Sequence, residues 1–254
     1  MALITPNTHF DADSIEAKVV GIAADVGQHD SGLHQHQKGQ LLYAPHGCIT
    51  LTLEQAICIL PPTKAVWIPP GTVHRAQMTN VVAYRSIYFD VGEFSCPDTI
   101  TTVDVDELLK ALINRMALWD WDIESERTGK ATELFWEEFY NAQTQSLVLP
   151  LPQDRRLTRF HQQVPKPEFL PPSLTELADQ SGASTKTMSR IFKAETGMSY
   201  QDWRQQWRLM KAIELLATPL PVSEVAHQLN FSSDSAFIAF FKQQTGKTPL
   251  AFNR

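Results

Sequence analysis

The chain has 254 residues, which is long enough for two domains and short for three. Hydrophobic residues make up 43% and charged residues 20%, and this balance excludes an intrinsically disordered chain. No run approaches the roughly 18 apolar residues of a membrane span, and the amino-terminal sequence lacks the basic and apolar regions of a secretory signal. Three cysteines without a CxxC pair argue against a disulfide scaffold and predict a reducing compartment, the cytosol.

Charge is divided unevenly along the chain. The net charge is −6, yet residues 1–151 hold 9 Lys and Arg against 19 Asp and Glu, whereas residues 152–254 hold 13 against 9. A basic rear half predicts contact with a polyanion, and an acidic front half predicts a different task. The sequence therefore indicates two domains with separate functions.

The front half is predicted to be rich in short strands. Apolar or alternating runs are separated by turn sequences that contain proline and glycine. The runs cover residues 19–24, 40–43, 49–53, 57–60, 66–68 and 81–89. Because no crossover helix fits between them, the sheet should be antiparallel, in a sandwich or a small barrel.

Beyond Thr102 the apolar residues recur at steps of three and four, which predicts an amphipathic helix. These positions are Val103, Leu108, Leu109, Leu112, Ile113, Met116 and Trp119. A second helix is predicted over 131–142, after a charged turn at 120–130. The helices could pack against the sheet, or the stripe of Leu108, Leu112 and Met116 could form the seam of a homodimer. Prolines in 149–152 mark the predicted domain boundary.

After this boundary the chain is predicted to be helical. The helices are expected over 154–163, 173–180, 185–195, 200–217, 221–229 and 234–243. Ser173 and Glu176 predict a capping box, Gly182 allows a tight turn with positive φ, and Ser184 caps the next helix. The same pattern recurs about 49 residues later, with Ser232 or Ser233 as the cap. A short turn between two helices is the layout that places the second helix in the major groove of DNA.

The residues around these two units carry a family resemblance. They include 190–199, Trp203-Arg204, Arg208-Leu209, Ala212, Val225-Ala226, Phe231-Ser232, Phe241-Lys242, Thr245-Gly246 and Thr248-Pro249. This part of the chain resembles the DNA-binding domain of AraC/XylS transcription regulators. The resemblance implies sequence-specific binding to double-stranded promoter DNA, with RNA polymerase as a further partner.

On the first recognition helix, Lys186, Ser189 and Arg190 should face outward, at positions that match base-reading residues of the family. Arg190 could pair with guanine, contact a phosphate or form a surface ion pair with Glu195. Hydroxyl groups and helix N-terminal amides favour phosphate contacts. Candidates of this kind are Thr185, Ser232 and Thr248.

The second recognition helix departs from the family pattern. Ala239 stands where an Arg is frequent, and Asp234 adds a negative charge near the end that would face the groove. We expect this unit to read fewer bases or mainly to hold the backbone. Its predicted DNA contacts are Ser232, Ser233, Asp234, Ser235 and Lys242. A helical bundle that binds protein is the alternative for both units.

The front half contains histidines at motif spacing. His34, His36 and Gln40 begin the pattern His-x-His-x3-Gln-x6-Gly, and His74 ends Pro-x-Gly-x2-His. Side chains alternate along a strand, so His34 and His36 should point to one face. These blocks resemble the two cupin motifs, which implies an antiparallel jelly roll. In metal-binding cupins the counterparts of these four residues hold a divalent ion.

Three imidazoles suit zinc, nickel, iron or copper. Gln40 replaces the usual Glu, so the fourth ligand would be neutral and weaker. The alternative is that the histidines line an effector pocket as hydrogen-bond donors and hold no metal.

Together these patterns predict an α+β protein. Its predicted parts are a cupin-like sensor domain at 1–100, a helical dimerisation and linker region at 101–151, and an AraC-type DNA-binding domain at 152–254. We expect a cytoplasmic, homodimeric transcription regulator whose cupin binds a small molecule or a metal, with activation as the working expectation. The sequence does not fix the effector, the target genes or whether the protein activates or represses transcription.

The alternative function is a metal-dependent cupin oxygenase or isomerase with a helical nucleic-acid-binding tail. Such an enzyme needs a catalytic acid or base in the barrel. Between His34 and His74 the sequence contains one carboxylate, Glu54. We therefore expect a protein that is not an enzyme.

Overall fold

The computed structural model describes residues 10–27, 29–78, 82–144, 148–166 and 168–252. Contacts divide the chain into two units, residues 1–53 with 59–147, and residues 54–58 with 148–254. The predicted three-part division stays a prediction, and it differs from this grouping in the placement of residues 54–58 and 148–151. Among the described helices, none has the length and apolar character needed to span a bilayer.

The β-strands follow one another along the front half of the chain. They are β1 (Val19–Val26), β2 (His29–Asp30), β3 (Gly39–His46), β4 (Ile49–Leu53), β5 (Ala56–Leu60), β6 (Lys64–Ile68), β7 (His74–Met78), β8 (Val82–Phe89) and β9 (Thr101–Asp104). In the first unit one antiparallel sheet has the order β1-β8-β3-β6-β9, which we call the main sheet. In a second sheet, β7 pairs with β2 and β4. The predicted antiparallel domain is confirmed, while Val81, in the predicted strand 81–89, lies outside the described residues.

Alternation gives the main sheet two different faces. Tyr43, Trp67 and Phe89 belong to one apolar core with residues of two helices, α1 (Glu107–Met116) and α2 (Ser125–Asn141). The ring of Phe89 stacks on that of Phe135 at 5.3 Å. Tyr88, next to Phe89 in β8, points to the opposite face. Each large apolar side chain buried in this way contributes about 1.5–3 kcal/mol.

The first helix begins later than predicted. Val103 lies on β9, which pairs with β6. Helix α1 starts at Glu107, and its N-cap is Asp106, whose side chain accepts a hydrogen bond from the Leu109 N–H (2.8 Å). The prediction was wrong because the β-branched run 101–103 favours a strand. Since α2 begins at Ser125, the second half of the predicted turn at 120–130 is helical.

The apolar stripe that suggested a dimer seam belongs mainly to the core of its own unit. Leu112 is 8% exposed and Met116 is fully buried, and both pack in the core under the helices. Leu108 is 46% exposed and lies outside that core. The packing alternative is therefore correct for Leu112 and Met116, which give no support to a homodimer.

The second unit is mainly helical. Its helices are α3 (Thr158–Gln163), α4 (Leu174–Gln180), α5 (Thr185–Thr196), α6 (Tyr200–Leu216), α7 (Val222–Gln228), α8 (Asp234–Thr245) and α9 (Pro249–Phe252). A 3-10 turn at Arg155–Leu157 replaces the first part of the helix predicted over 154–163.

The proline-containing segment 149–152, predicted as a boundary linker, is partly a strand. Within the second unit, β10 (Val148–Pro150) pairs with residues 56–58 of β5. Leu149 is fully buried, and the Trp203 Nε1–H donates to the Pro150 carbonyl (2.7 Å). Proline is tolerated at this position, because a strand at the edge of a sheet does not need every backbone N–H for pairing.

Candidate DNA-binding face and metal centre

The two predicted helix–turn–helix units have the same turn geometry. Gly182 and Asn230 occupy the turns with φ of 59° and 56°. In each unit the next residue donates its N–H to the carbonyl of a buried alanine, Ala178 or Ala226, at 3.0 Å. Small residues at these positions let the two helices of a unit cross closely.

The capping predictions of the first unit are confirmed. The Ser173 Oγ accepts from the Glu176 N–H (3.2 Å), and the Glu176 Oε2 accepts from the Ser173 N–H (2.7 Å). The Ser184 Oγ accepts from the Thr187 N–H (3.2 Å) and fixes the start of α5. These bonds satisfy amides that a helix start leaves without intrahelical partners.

Helix α5 presents one apolar and one polar face. Met188, Ile191 and Phe192 are buried. The predicted contacts on the other face, which we call the α5 face, are all exposed: Thr185, Lys186, Ser189 and Arg190. The Glu195 Oε2 accepts hydrogen bonds from the backbone N–H groups of Gln153 (2.6 Å) and Asp154 (3.1 Å). No ion pair joins Glu195 to Arg190 within the described chain, so the guanidinium is available to a ligand.

Helix α8 presents a different set. Ser233 is its cap, because the Ser233 Oγ accepts from the Ala236 N–H (3.2 Å). The predicted contacts of this unit are all exposed: Ser232, Ser233, Asp234, Ser235 and Lys242. Ile238 and Ala239 are exposed between them. The Thr248 Oγ1 accepts from the Ala251 N–H (3.4 Å) at the start of α9.

One contact beside the second turn was not predicted. The Arg208 guanidinium of α6 lies 5.3 Å from the centroid of the Phe231 ring. Its signal in the sequence was the pair of arginines Arg204 and Arg208 at helical spacing. This cation–π contact joins α6 to the turn of the second unit.

In the first unit, the three histidines of the two motifs meet. Their possible ligand atoms all lie within 4.8 Å of one another. His34 and His74 exchange backbone hydrogen bonds of 3.0 and 2.9 Å, and the Gly71 N–H donates to the His36 carbonyl (2.8 Å). Gly71 has φ of 68°, a left-handed conformation that favours glycine, and this turn before β7 brings the second motif to the first.

The ring nitrogens of this histidine cluster suit a metal ion. The Nδ1–H of His34 donates to the Gly32 carbonyl (3.0 Å), and that of His74 donates to the Thr72 carbonyl (2.8 Å), which leaves each Nε2 with a lone pair. The Nε2 atoms of His36 and His74 are buried without a hydrogen-bond partner among the described residues. Burial lowers the pKa of both rings to about 4, with a smaller effect of His34.

A polar row beside Gln40 was missed by the sequence-based predictions. The Gln40 side-chain NH2 donates to the Ser86 Oγ (2.8 Å) and the Tyr88 Oη (3.0 Å). The Gln40 Oε1 is buried and has no partner in the described part of the chain. Tyr88 also lies edge-on to His36 at 5.0 Å. The alternation Tyr84-x-Ser86-x-Tyr88 was the signal, because such residues share one face of a strand.

Both regions of the sequence match known protein families. A family model described as an AraC-like ligand binding domain matches residues 16–116, and one described as a helix-turn-helix domain matches residues 177–254. The HTH-type transcriptional regulator NimR of Escherichia coli K12 is 31% identical over 245 residues, 96% of this chain and 88% of that protein. The HTH-type transcriptional regulator RipA of Corynebacterium glutamicum is 34% identical over 103 residues, 41% of this chain and 31% of that protein.

Solved structures give more distant matches. The DNA-binding domain of AdpA in complex with a target DNA is 25% identical, with a TM-score of 0.36, over 40% of this chain and 91% of that one. ToxT of Vibrio cholerae is 10% identical, with a TM-score of 0.38, over 90% of this chain and 98% of that one.

Proposed function

Because the chain belongs to the AraC family of transcription regulators, with a ligand-binding amino-terminal domain and DNA-binding helix–turn–helix units, we propose that the α5 face reads promoter sequence and that the histidine cluster holds a divalent transition metal. The observation that carries the DNA proposal is the exposed guanidinium of Arg190 beside Lys186, which forms no ion pair with a described residue. The observation that carries the metal proposal is the pair of buried Nε2 atoms without partners on His36 and His74.

Each residue of the α5 face has a chemical role in this proposal. Arg190 pairs with O6 and N7 of a guanine, the contact for which a guanidinium is best shaped. Lys186 contacts a base or a phosphate, and Ser189 a base edge. Thr185, in the first turn of α5, binds a phosphate together with helix N-terminal amides.

The second unit mainly holds the DNA backbone in this proposal. Ser232, Ser233 and Ser235 offer hydroxyl groups at the start of α8, and Lys242 offers a charge. The carboxylate of Asp234 repels phosphate groups. Backbone contacts of this kind fix the register of a protein on the duplex and carry little sequence information.

Selection of bound duplexes from a random library tests the DNA proposal with the full-length chain. We expect an enriched sequence whose affinity falls steeply with salt, because each neutralised phosphate releases counterions. Lys186→Ala should reduce the slope of log K against log salt by about 1. Lys166→Ala, at an exposed lysine before α4, is the matched control and should leave the slope unchanged. Failure to enrich any sequence at low salt would contradict the proposal.

In the metal proposal, His34, His36 and His74 supply imidazole nitrogens and Gln40 supplies an amide oxygen. This donor set fits zinc, nickel or iron. A bound ion would provide a Lewis-acidic centre that an oxygen or nitrogen group of an effector could join. The row of Ser86 and Tyr88 would orient the Gln40 amide so that its Oε1 stays available.

Elemental analysis of the purified full-length chain tests the metal proposal. We expect about one ion per chain and a higher melting temperature with metal than after chelation, since an ion that binds the folded state stabilises it. His74→Ala should abolish both effects. His46→Ala is the matched control, because His46 is exposed at the end of β3 and lies outside the cluster. Equal metal content in the two variants would contradict the proposal.

The finer properties expected of such a regulator also belong to this proposal. They are a small-molecule or metal effector, a homodimer, contact with RNA polymerase, activation of transcription and a cytoplasmic location. Because Leu112 and Met116 are buried, the apolar residues available to a second copy near α1 are Leu108 and Leu118, which are 46% and 50% exposed. Leu118→Glu should shift a dimer toward monomer in analytical ultracentrifugation.

The enzyme alternative gains no support from these findings. Glu54, the carboxylate that it required, is exposed in the turn after β4. The relatives named above are transcription regulators, in agreement with the expectation of a protein that is not an enzyme.

A further inference from the structure

A cavity of about 590 Å³ lies in the first unit, beside helix α2. We call it the helix-side cavity. Its walls come from the start of β1, the loop after β8, the segment between α1 and α2, and α2 itself. None of the three residues of the histidine cluster lines this cavity. Its volume is within the range of small-molecule sites.

The helix-side cavity and the histidine cluster have no residue in common. Phe89 packs against the cavity-lining rings of Phe94 (5.7 Å) and Trp136 (4.8 Å). Its neighbour Tyr88 points to the other face of the same strand and contacts His36. A ligand in the cavity would therefore occupy a site distinct from the metal centre.

Aromatic rings make up much of the cavity wall. They are Phe94, Trp121, Trp136 and Tyr140. The rings of Trp136 and Tyr140 lie 5.9 Å apart at an interplanar angle of 30°. Trp136 is 8% exposed and forms part of the core, whereas Tyr140 is 54% exposed at the edge. The faces of such rings attract cations through their quadrupoles.

The charged residues of the wall have a negative balance. Lys18 is paired with Glu93. Asp122 and Glu133 also line the cavity, are exposed, and form no ion pair with another described residue. A cationic ligand would gain from both carboxylates, an anion would be repelled, and a neutral molecule would leave both unused.

We propose that the helix-side cavity binds an organic cation with an aromatic or bulky apolar body, as a second ligand site of the first unit. The aromatic wall receives the apolar body, and Asp122 and Glu133 face the positive charge. This site does not depend on DNA binding or on the metal centre, so the test below does not affect either of the proposals above.

Titration calorimetry of the full-length chain tests the site with three probes of similar size. Phenyltrimethylammonium is the cation, tert-butylbenzene its neutral isostere and benzoate an anion. We expect the cation to bind at least about tenfold more tightly than the isostere, from cation–π and charge attraction in a partly desolvated site. Benzoate should not bind. A cation that binds no more tightly than the isostere would overturn the proposal.

Variants locate the binding. Glu133→Gln and Asp122→Asn should each weaken cation binding by about two- to fivefold, the range of a partly exposed charge pair. Glu137→Gln is the matched control, since Glu137 is exposed on the same helix and does not line the cavity. Tyr140→Leu should weaken the cation more than the isostere. Equal effects at Glu133 and Glu137, with the circular dichroism and melting of all variants unchanged, would contradict the assignment.

Discussion

The unit α4–α5 can be compared with α7–α8 almost position by position. Helix α7 begins 48 residues after α4, whereas α8 begins 49 residues after α5, so the second turn contains one more residue. In both turns a residue with positive φ follows the first helix, Gly182 or Asn230. The extra residue is accommodated without loss of the hydrogen bond that closes the turn.

The inward positions of α5 and α8 are apolar in both units, whereas the outward positions differ in chemical type. Phe192 and its counterpart Phe241 are identical and fully buried. The outward positions of α5 and α8 pair Lys186 with Ser235, Ser189 with Ile238, and Arg190 with Ala239. Dense packing restricts the first kind of position, while the second kind is constrained only by what it contacts. The two units thus present outward surfaces of different charge.

The largest effect should come from the residues that the units share. Phe192→Ala and Phe241→Ala should each cost about 3–5 kcal/mol, because each removes a fully buried ring. Phe192 contacts three aromatic rings, those of Phe160, Tyr200 and Trp203. We therefore expect the destabilisation by Phe192→Ala to lie at the upper end of this range. Hydrogen exchange of the full-length chain, resolved for each helix, measures the loss of stability in both variants. Unchanged protection of α8 in Phe241→Ala would contradict the equivalence of the units.

The next effect should come from Arg190, where the units differ most. Arg190→Ala should weaken binding to the selected duplex by about 1–3 kcal/mol and remove the preference for guanine at one position. Repeating the duplex selection with the variant measures both quantities. The second unit already has Ala239 there, so its half of the site should show no such guanine. A loss of affinity that is uniform over all sequences would instead identify Arg190 as a phosphate contact.

The sequence predicted these units well because their signals are local. Capping residues such as Ser173 and Ser184, and a turn residue such as Gly182, act within a few positions of the chain. The proximity of the histidines was also predicted, but the expected strand is absent there, because His34 forms an isolated β-bridge with His74 and His36 lies outside the strands. His74 was joined to them by its motif.

Predictions that depended on what a segment packs against were less successful. The step pattern around Val103 and Met116 showed an apolar face but could not show whether the partner was a sheet or a second chain. A short segment such as 148–150 has too few residues to reveal a strand, and its prolines pointed to a linker. The polar row of Ser86 and Tyr88 became visible only when β8 lay beside Gln40.

A smaller effect separates the two turns. Gly182→Ala should cost about 1–2 kcal/mol, since a side chain disfavours the left-handed region, while its Cβ would have no atom within 4 Å to strike. Asn230→Gly should change the free energy of unfolding by less than about 0.5 kcal/mol, because asparagine tolerates this region. Urea unfolding measures both. A large gain in Asn230→Gly would show that the longer turn is strained.

The smallest effect should come from Asp234, the acidic residue at the start of α8. Its charge has two opposed consequences. A negative side chain in the first turn stabilises the helix through the macrodipole by about 0.3–1 kcal/mol. The same charge repels phosphates when α8 approaches DNA.

Asp234→Asn should therefore lower the melting temperature slightly and raise affinity for the selected duplex by up to about fivefold. Thr185→Asn, at the equivalent position of α5, is the control. Because Thr185→Asn removes no charge, the stability of α5 should not change. Because it also replaces a hydroxyl group that we expect to contact a phosphate, the affinity for DNA should not rise. If Asp234→Asn weakens binding at one base pair instead, the carboxylate accepts from that base, and the second unit reads sequence as the first does.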